Sequence, residues 1–295
     1  MSSASSPERS AALAAIYRKA CLDELRALKP GNVHVHGDGH GMTVADFELS
    51  AQASAAALCA PGRPVGRRIL DATVATQRAV GCNTNLGTLL LAAPLLAAAE
   101  TAAPGGLRRA LGVTLEGMTV EDAIDTYGAI RLARPAGLGT STVQDVHNAP
   151  TIDLRSAMIL AADRDRVARQ YATGYADVFD VGVAILAKAR RARIKQDLAT
   201  SRAYMAFLAA FPDSHIERKF GAECAEAVRA EAEKTVIARR SARKIEREMA
   251  LLLDFDRRLK VQGYNPGTSA DLAVASLLAL AIADMLDPGE KWETA

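Results

Sequence analysis

The chain has 295 residues, 49% of them hydrophobic and 24% charged, so it has enough apolar surface to offset the entropy of ordering, and global disorder is excluded. Only 4% are aromatic, and the apolar share leans on Ala and Leu, the strongest helix formers, which points to an all-α fold. Thirty-six Lys and Arg against 34 Asp and Glu leave a net charge of +2, too balanced for binding nucleic acid through its backbone.

The length exceeds the usual single-domain size, but one helical core running throughout absorbs it. We therefore read 1–295 as a single multi-helix domain with its ordered core over about 7–286 and functional loops at helix N-termini. Cys21, Cys59, Cys82 and Cys224 show no CxxC spacing and read as reduced thiols in a cytoplasm. The opening MSSASSPERS lacks a basic segment followed by an apolar one, so no secretory leader is expected. Two apolar runs, 86–99 and 272–283, fall short of the roughly 20 residues of a membrane span and read as buried helices.

The first helix is predicted over 7–28, with Ser6 as N-cap, Pro7 at the first helical position and Lys29-Pro30-Gly31 as the stop. At helical spacing Leu13, Ile16, Tyr17, Ala20, Cys21 and Leu28 share one face, and Glu24 falls in its middle. A carboxylate there must be paired, bind a cation or carry a raised pKa; a salt bridge to a loop Arg or Lys is the structural alternative. The Gly-rich loop that follows carries His34, His36 and His40, a spacing that makes a metal site only with a fourth ligand in reach. Val33 to His36 is too short to be more than an isolated extended segment. Thr43-x-x-Asp46 fits a capping box opening the second helix.

A helix over 67–80 ends at Gly81, and Asn83-Thr84-Asn85 then opens an apolar helix that Pro94 should kink or break. Capping needs one of those three polar residues; all three together suit an anion such as phosphate. Thr119 caps a helix to about 133, and the long loop up to 153, with Gly137, Gly139, Asp145 and His147, reads as functional. Helices are expected over 153–171 and 175–191, the second buried all round. On it Asp177 and Asp180 share a narrow strip of small residues, which suits Mg²⁺ with phosphate, or pairing with Arg or Lys from a neighbouring helix. The basic run 188–195 reads as a solvated helix end. Asp213, Ser214, His215 and Lys219 fall at a loop-to-helix junction, and 223–259 is charged helix with room for a hairpin. The last helix opens at 263–271, where Thr268 or Ser269 can cap and Asp271 complements the dipole.

Four of these junctions resemble the triphosphoribosyl-dephospho-CoA synthase family: Lys29-Pro-Gly31 after a helix bearing Glu24, Asn83-Thr84 with Gly87, Phe211 to Lys219, and Asn265-Pro-Gly-Thr-Ser-Ala-Asp-Leu272. They occur in the family's order over about residues 11–286. The resemblance implies an all-α transferase that joins ATP to 3′-dephospho-CoA and expels adenine, with Mg²⁺ on the triphosphate. It makes Glu24, Asp46 and Asp271 candidate catalytic acids and Asp177 and Asp180 candidate metal ligands. Lys29, Asn83, Thr84, Asn85, Gly87, Lys219 and Ser269 become candidate nucleotide contacts. This chain departs from the family at Asn85-Leu86, where the family commonly reads His-Lys, and at Asp213-Ser214-His215, where it reads a DTN-like triplet. A related nucleotide-dependent transferase of methanopterin-type cofactor biosynthesis and a helical Mg²⁺-dependent phosphohydrolase or glycohydrolase therefore stay open. Expected partners are ATP and a nucleotide-like acceptor, with no nucleic acid and no membrane, and with a homo-oligomer open.

Overall fold

The computed structural model describes residues 7–240 and 244–288. The cap expected at Ser6 lies outside them. The described residues form fourteen α-helices and one π-helical turn with no strand, an all-α protein; His34 pairs with Gly37 as an isolated bridge. In chain order, α1 (Pro7–Arg26), α2 (Val44–Leu58) and α3 (Val65–Val80) precede the apolar α4 (Leu86–Thr101), and α5 (Leu107–Glu116) and α6 (Val120–Ala133) follow it. After a long loop come α7 (Leu154–Ala161), α8 (Arg166–Thr173) and the π turn (Asp177–Val183), which runs directly into α9 (Ala184–Arg191). Then follow α10 (Gln196–Ala210), α11 (Ser214–Phe220), α12 (Ala222–Arg240), α13 (Ile245–Val261) and α14 (Gly267–Leu286).

Two of these helices, α4 and α14, are apolar on nearly every side, and such helices must be surrounded. Accordingly α14 packs against α1, α4, α10 and the π turn, while α2, α3 and α6 stack on the flank of α4. A large apolar cluster runs through α4 and α14, and a smaller one joins Tyr204, Leu208, Ile216, Val228 and Phe255 around α10 to α13. By length and composition α14 could cross a bilayer, but 72% of its apolar window is buried within the fold, as a central core helix requires.

Three local expectations change. Pro94 does not break α4. Its missing N–H would leave the Leu90 carbonyl unpaired, and Tyr171 Oη donates to that oxygen at 2.6 Å, with Tyr175 Oη donating to Leu91 O at 3.1 Å. The helix expected over 153–171 divides in two because Asp165 caps a second start, accepting from the backbone N of Val167 and Ala168. The helix over 175–191 is not buried all round: it begins as the π turn and exposes Asp180. The turn lies so close to α14 that a Cβ on Gly182 would overlap the Ser276 hydroxyl. The charged stretch 223–259 takes the hairpin form its sequence allowed, as α12 and α13, which pack on each other on either side of residues outside the described set.

Candidate active site

The four junctions noted in the sequence are scattered over some 240 residues, yet they meet at the start of α14. Gly31, with φ +83°, lies against Pro266, where a Cβ would stand 2.8 Å from Pro266 Cδ. Asn32 Nδ2 donates to Asn265 Oδ1 at 2.7 Å. Ser269 donates through both its backbone N and its hydroxyl to Asp213 Oδ2, each at 2.8 Å. Gly87 faces the Asp271 carboxylate so closely that any side chain there would displace it.

Between these segments opens a cleft of about 1240 Å³, counted to its open mouth and lined by residues of α1, α2, α4, α8, α11 and α14 and by the loop after α6. The N-terminal ends of α4 and α14 both open onto it, so free backbone N–H groups and two positive dipole ends face one space.

Its acidic groups are held in different states. Asp271 Oδ1 accepts from the Thr88 hydroxyl at 2.7 Å, and burial, with the charges of Glu24 and Asp213, pushes its carboxyl up to about 7. Glu24 lines the cleft from α1, its Oε1 held at 2.5 Å by Lys29 Nζ, which also donates to Asn32 Oδ1 at 2.9 Å. Burial pushes Glu24 up and Lys29 down, while their mutual attraction pulls both back toward the charged pair. Asp165 accepts from Arg218 at 2.5 Å through Oδ2 and spends Oδ1 on the α8 amides. His215, packed on Gly267, is lowered to about 4 by burial and by Arg218 and Lys219, so its imidazole is neutral. Two buried donors in the cleft wall have no partner: Asn85 Nδ2 and Arg218 Nε. Such groups are costly unless a ligand or water meets them.

Of the residues expected at a site, Glu24, Asn83, Thr84, Asn85, Gly87 and Asp271 line this cleft together. Asn83 Oδ1 also caps α4 through Leu86 N at 3.1 Å, and the Thr84 hydroxyl is 2.6 Å from that of Ser50.

The others are placed elsewhere. Lys29 is fully buried beneath the cleft as the partner of Glu24, so the structural alternative for Glu24 and a place in the cleft wall hold together. Asp46 completes the capping box of α2, accepting from Thr43 N at 2.7 Å and from its hydroxyl, and does not line the cleft. Ser269 is fully buried on Asp213. Lys219 is exposed over the Phe220 ring.

Asp177 and Asp180, read as a metal pair, also lie outside the cleft lining. Asp177 uses both oxygens on Arg166, at 2.8 and 2.9 Å, and also accepts from Gln170, while Asp180 is exposed and pairs with Arg108 of α5. Arginines balance both charges, the pairing with neighbouring helices that the sequence left open. Among the described residues no three His, Cys, Asp or Glu side chains gather as a metal cage; His34 is instead held by Asp256 at 3.2 Å, and His40 by Gly31 O at 2.7 Å.

Sequence reasoning missed Thr88, Asp165 and Arg218. Arg218 and Lys219 stand three and four residues after His215, both neighbour spacings on a helix, so spacing alone did not choose between them.

A buried acid near neutrality, an arginine and two helix N-termini in one cleft of an all-α fold suit an enzyme acting on phosphorylated small molecules. The model of the ATP:dephospho-CoA triphosphoribosyl transferase family matches residues 10–291, and the chain belongs to that family. It is a transferase with ATP and dephospho-CoA as substrates, and no evidence favours the pterin-cofactor or hydrolase alternatives. A solved structure from Archaeoglobus fulgidus, described as a candidate triphosphoribosyl-dephospho-CoA synthase, is similar over 80% of this chain and 97% of its own. The two share 27% sequence identity, with a TM-score of 0.62. No curated protein matches the chain.

Proposed function

We propose that the cleft at the start of α14 is the reaction site. There the ribose 2′-hydroxyl of dephospho-CoA attacks C1′ of the ATP ribose; the C1′–O2′ bond forms as the C1′–N9 bond breaks. Adenine leaves with a proton in place of the one the hydroxyl loses, and the triphosphate stays on the transferred ribose. Asp271 takes the hydroxyl proton. The observation that carries this is a carboxyl buried in the cleft wall, oriented by Thr88 and poised near the pH at which a general base works best. His215, neutral and in the same wall, serves as a hydrogen-bond partner for the departing base.

The triphosphate meets Arg218, the free Asn85 amide, Asn83, Thr84 and the open ends of α4 and α14. One arginine does not balance a triphosphate, so Mg²⁺ fits as the counter-ion that arrives with ATP. Mg²⁺ is usually bound by one or two carboxylates together with substrate phosphates; Glu24, which lines the cleft and gives Oε1 to Lys29, would offer it Oε2. The chain acts as one domain in this reading, because α14 contributes to both apolar clusters.

The test is mass spectrometry of the protein with ATP, Mg²⁺ and dephospho-CoA. Free adenine together with a triphosphoribosyl adduct is expected, and Asp271→Asn should bind ATP but release adenine at least about a hundredfold more slowly. A variant that turns over at the normal rate removes Asp271 from the mechanism.

A further inference from the structure

Beside the cleft lies a second, shallower hollow, lined by Asn83, Gln77 and Cys82 on one wall and by Arg131, Leu132 and Arg134 on the other. The two spaces are neighbours on both walls. Asn83 lines both, and the chain leaving α6 passes from the hollow at Ala133 and Arg134 to the cleft at Pro135 and Ala136. We infer that this hollow binds the diphosphate of the acceptor, dephospho-CoA, while its ribose reaches into the cleft. The inference rests on the reading of the cleft as the reaction site.

Three observations support it. The hollow is lined by two arginines beside the cleft, and two cations suit a diphosphate. Arg131 donates to Val146 O at 2.5 Å, which holds it in place, whereas Arg134 is exposed and has no ion pair among the described residues. Second, Arg134 occupies a left-handed backbone position, φ 48° and ψ 58°, at the C-terminal end of α6, where glycine is the ordinary residue. A side chain kept at a strained position has a use that glycine would not serve. Third, the hollow is open and includes Leu132, as suits a ligand whose long, partly apolar tail leads away into solvent. ATP has no such tail, and its triphosphate is met by Arg218 and the helix N-termini inside the cleft.

The test compares the wild type with Arg134→Gly by calorimetric titration with dephospho-CoA and, separately, with ATP. Glycine suits the backbone there, so the melting temperature should hold or rise. Dephospho-CoA should bind about tenfold more weakly, the loss of one charge-assisted contact, with ATP affinity unchanged. Arg134→Lys should recover part of the loss. Equal dephospho-CoA affinity in wild type and variant overturns the inference and leaves Arg134 as a complement to the α6 dipole. Weaker ATP binding with dephospho-CoA unchanged overturns it in favour of the triphosphate. Adenine release by the wild type is measured apart from these titrations; its absence, with the binding difference intact, removes the assigned chemistry while supporting the subsite.

Discussion

Asp271 holds a proton that an exposed aspartate would have lost, because it is buried at the start of a core helix with two further carboxylates nearby. Its folded-state value of about 7 lies above its ordinary 3.8, so between those values the native chain keeps a proton that the unfolded chain releases. The associated stability is complete below the lower value and is lost as pH rises through the upper one. Activity runs the other way, since a base must be deprotonated. We therefore expect kcat/KM to rise through about pH 7 while the melting temperature falls between about pH 4 and 7, a fall that Asp271→Asn should lessen. A flat rate profile would contradict the assignment. Gly87 makes this geometry available. A methyl group in Gly87→Ala has to displace the Asp271 carboxylate, the mobile end of a side chain rather than backbone, so turnover should fall by about tenfold or more with little change in melting temperature. Unchanged turnover would mean that the carboxylate need not sit there.

Among the elements, α4 carries its proline at the expense of one backbone bond, and the repair comes from the Tyr171 hydroxyl. Phenylalanine at that position keeps the ring packing but leaves the Leu90 carbonyl buried without a donor. Tyr171→Phe is expected to destabilise the fold by about 1–3 kcal/mol, measured by denaturant unfolding with unchanged m-value. A neutral result would show that another donor reaches that oxygen. Periodicity made α4 legible as a buried helix and Pro94 as an interruption of its ladder. The tyrosine that mends it stands 81 residues away and carries no local sign of that role.

At the scale of the molecule, packing decides which charges are free. Asp177 and Asp180 read as an unbalanced pair on their own helix, but the fold brings Arg166 to one and Arg108, 72 residues away, to the other. The Arg108–Asp180 pair is exposed, and such pairs contribute little. Asp180→Asn should thus leave both stability and Mg²⁺-dependent ATP affinity essentially unchanged, as a titration would show; a loss of ATP binding would restore the metal reading. Glu24 shows the converse. Its burial was legible from one helical face, and its pairing with Lys29 followed only once the loop folded back under the cleft.

The amino-acid sequence by itself determined the all-α class, the capping box at Thr43, the cap at Thr119 and the four loop-to-helix junctions, because propensity, periodicity and capping act within one or two helical turns. Only the tertiary structure decided that those junctions share one cleft and that Arg218 rather than Lys219 faces it. It also decided that Asp271 stays in the cleft wall while Ser269 is spent on Asp213. Ion pairing, desolvation and shared cavities depend on groups brought together from distant positions, as Thr88 is brought to Asp271 across 183 residues, and no local pattern encodes them.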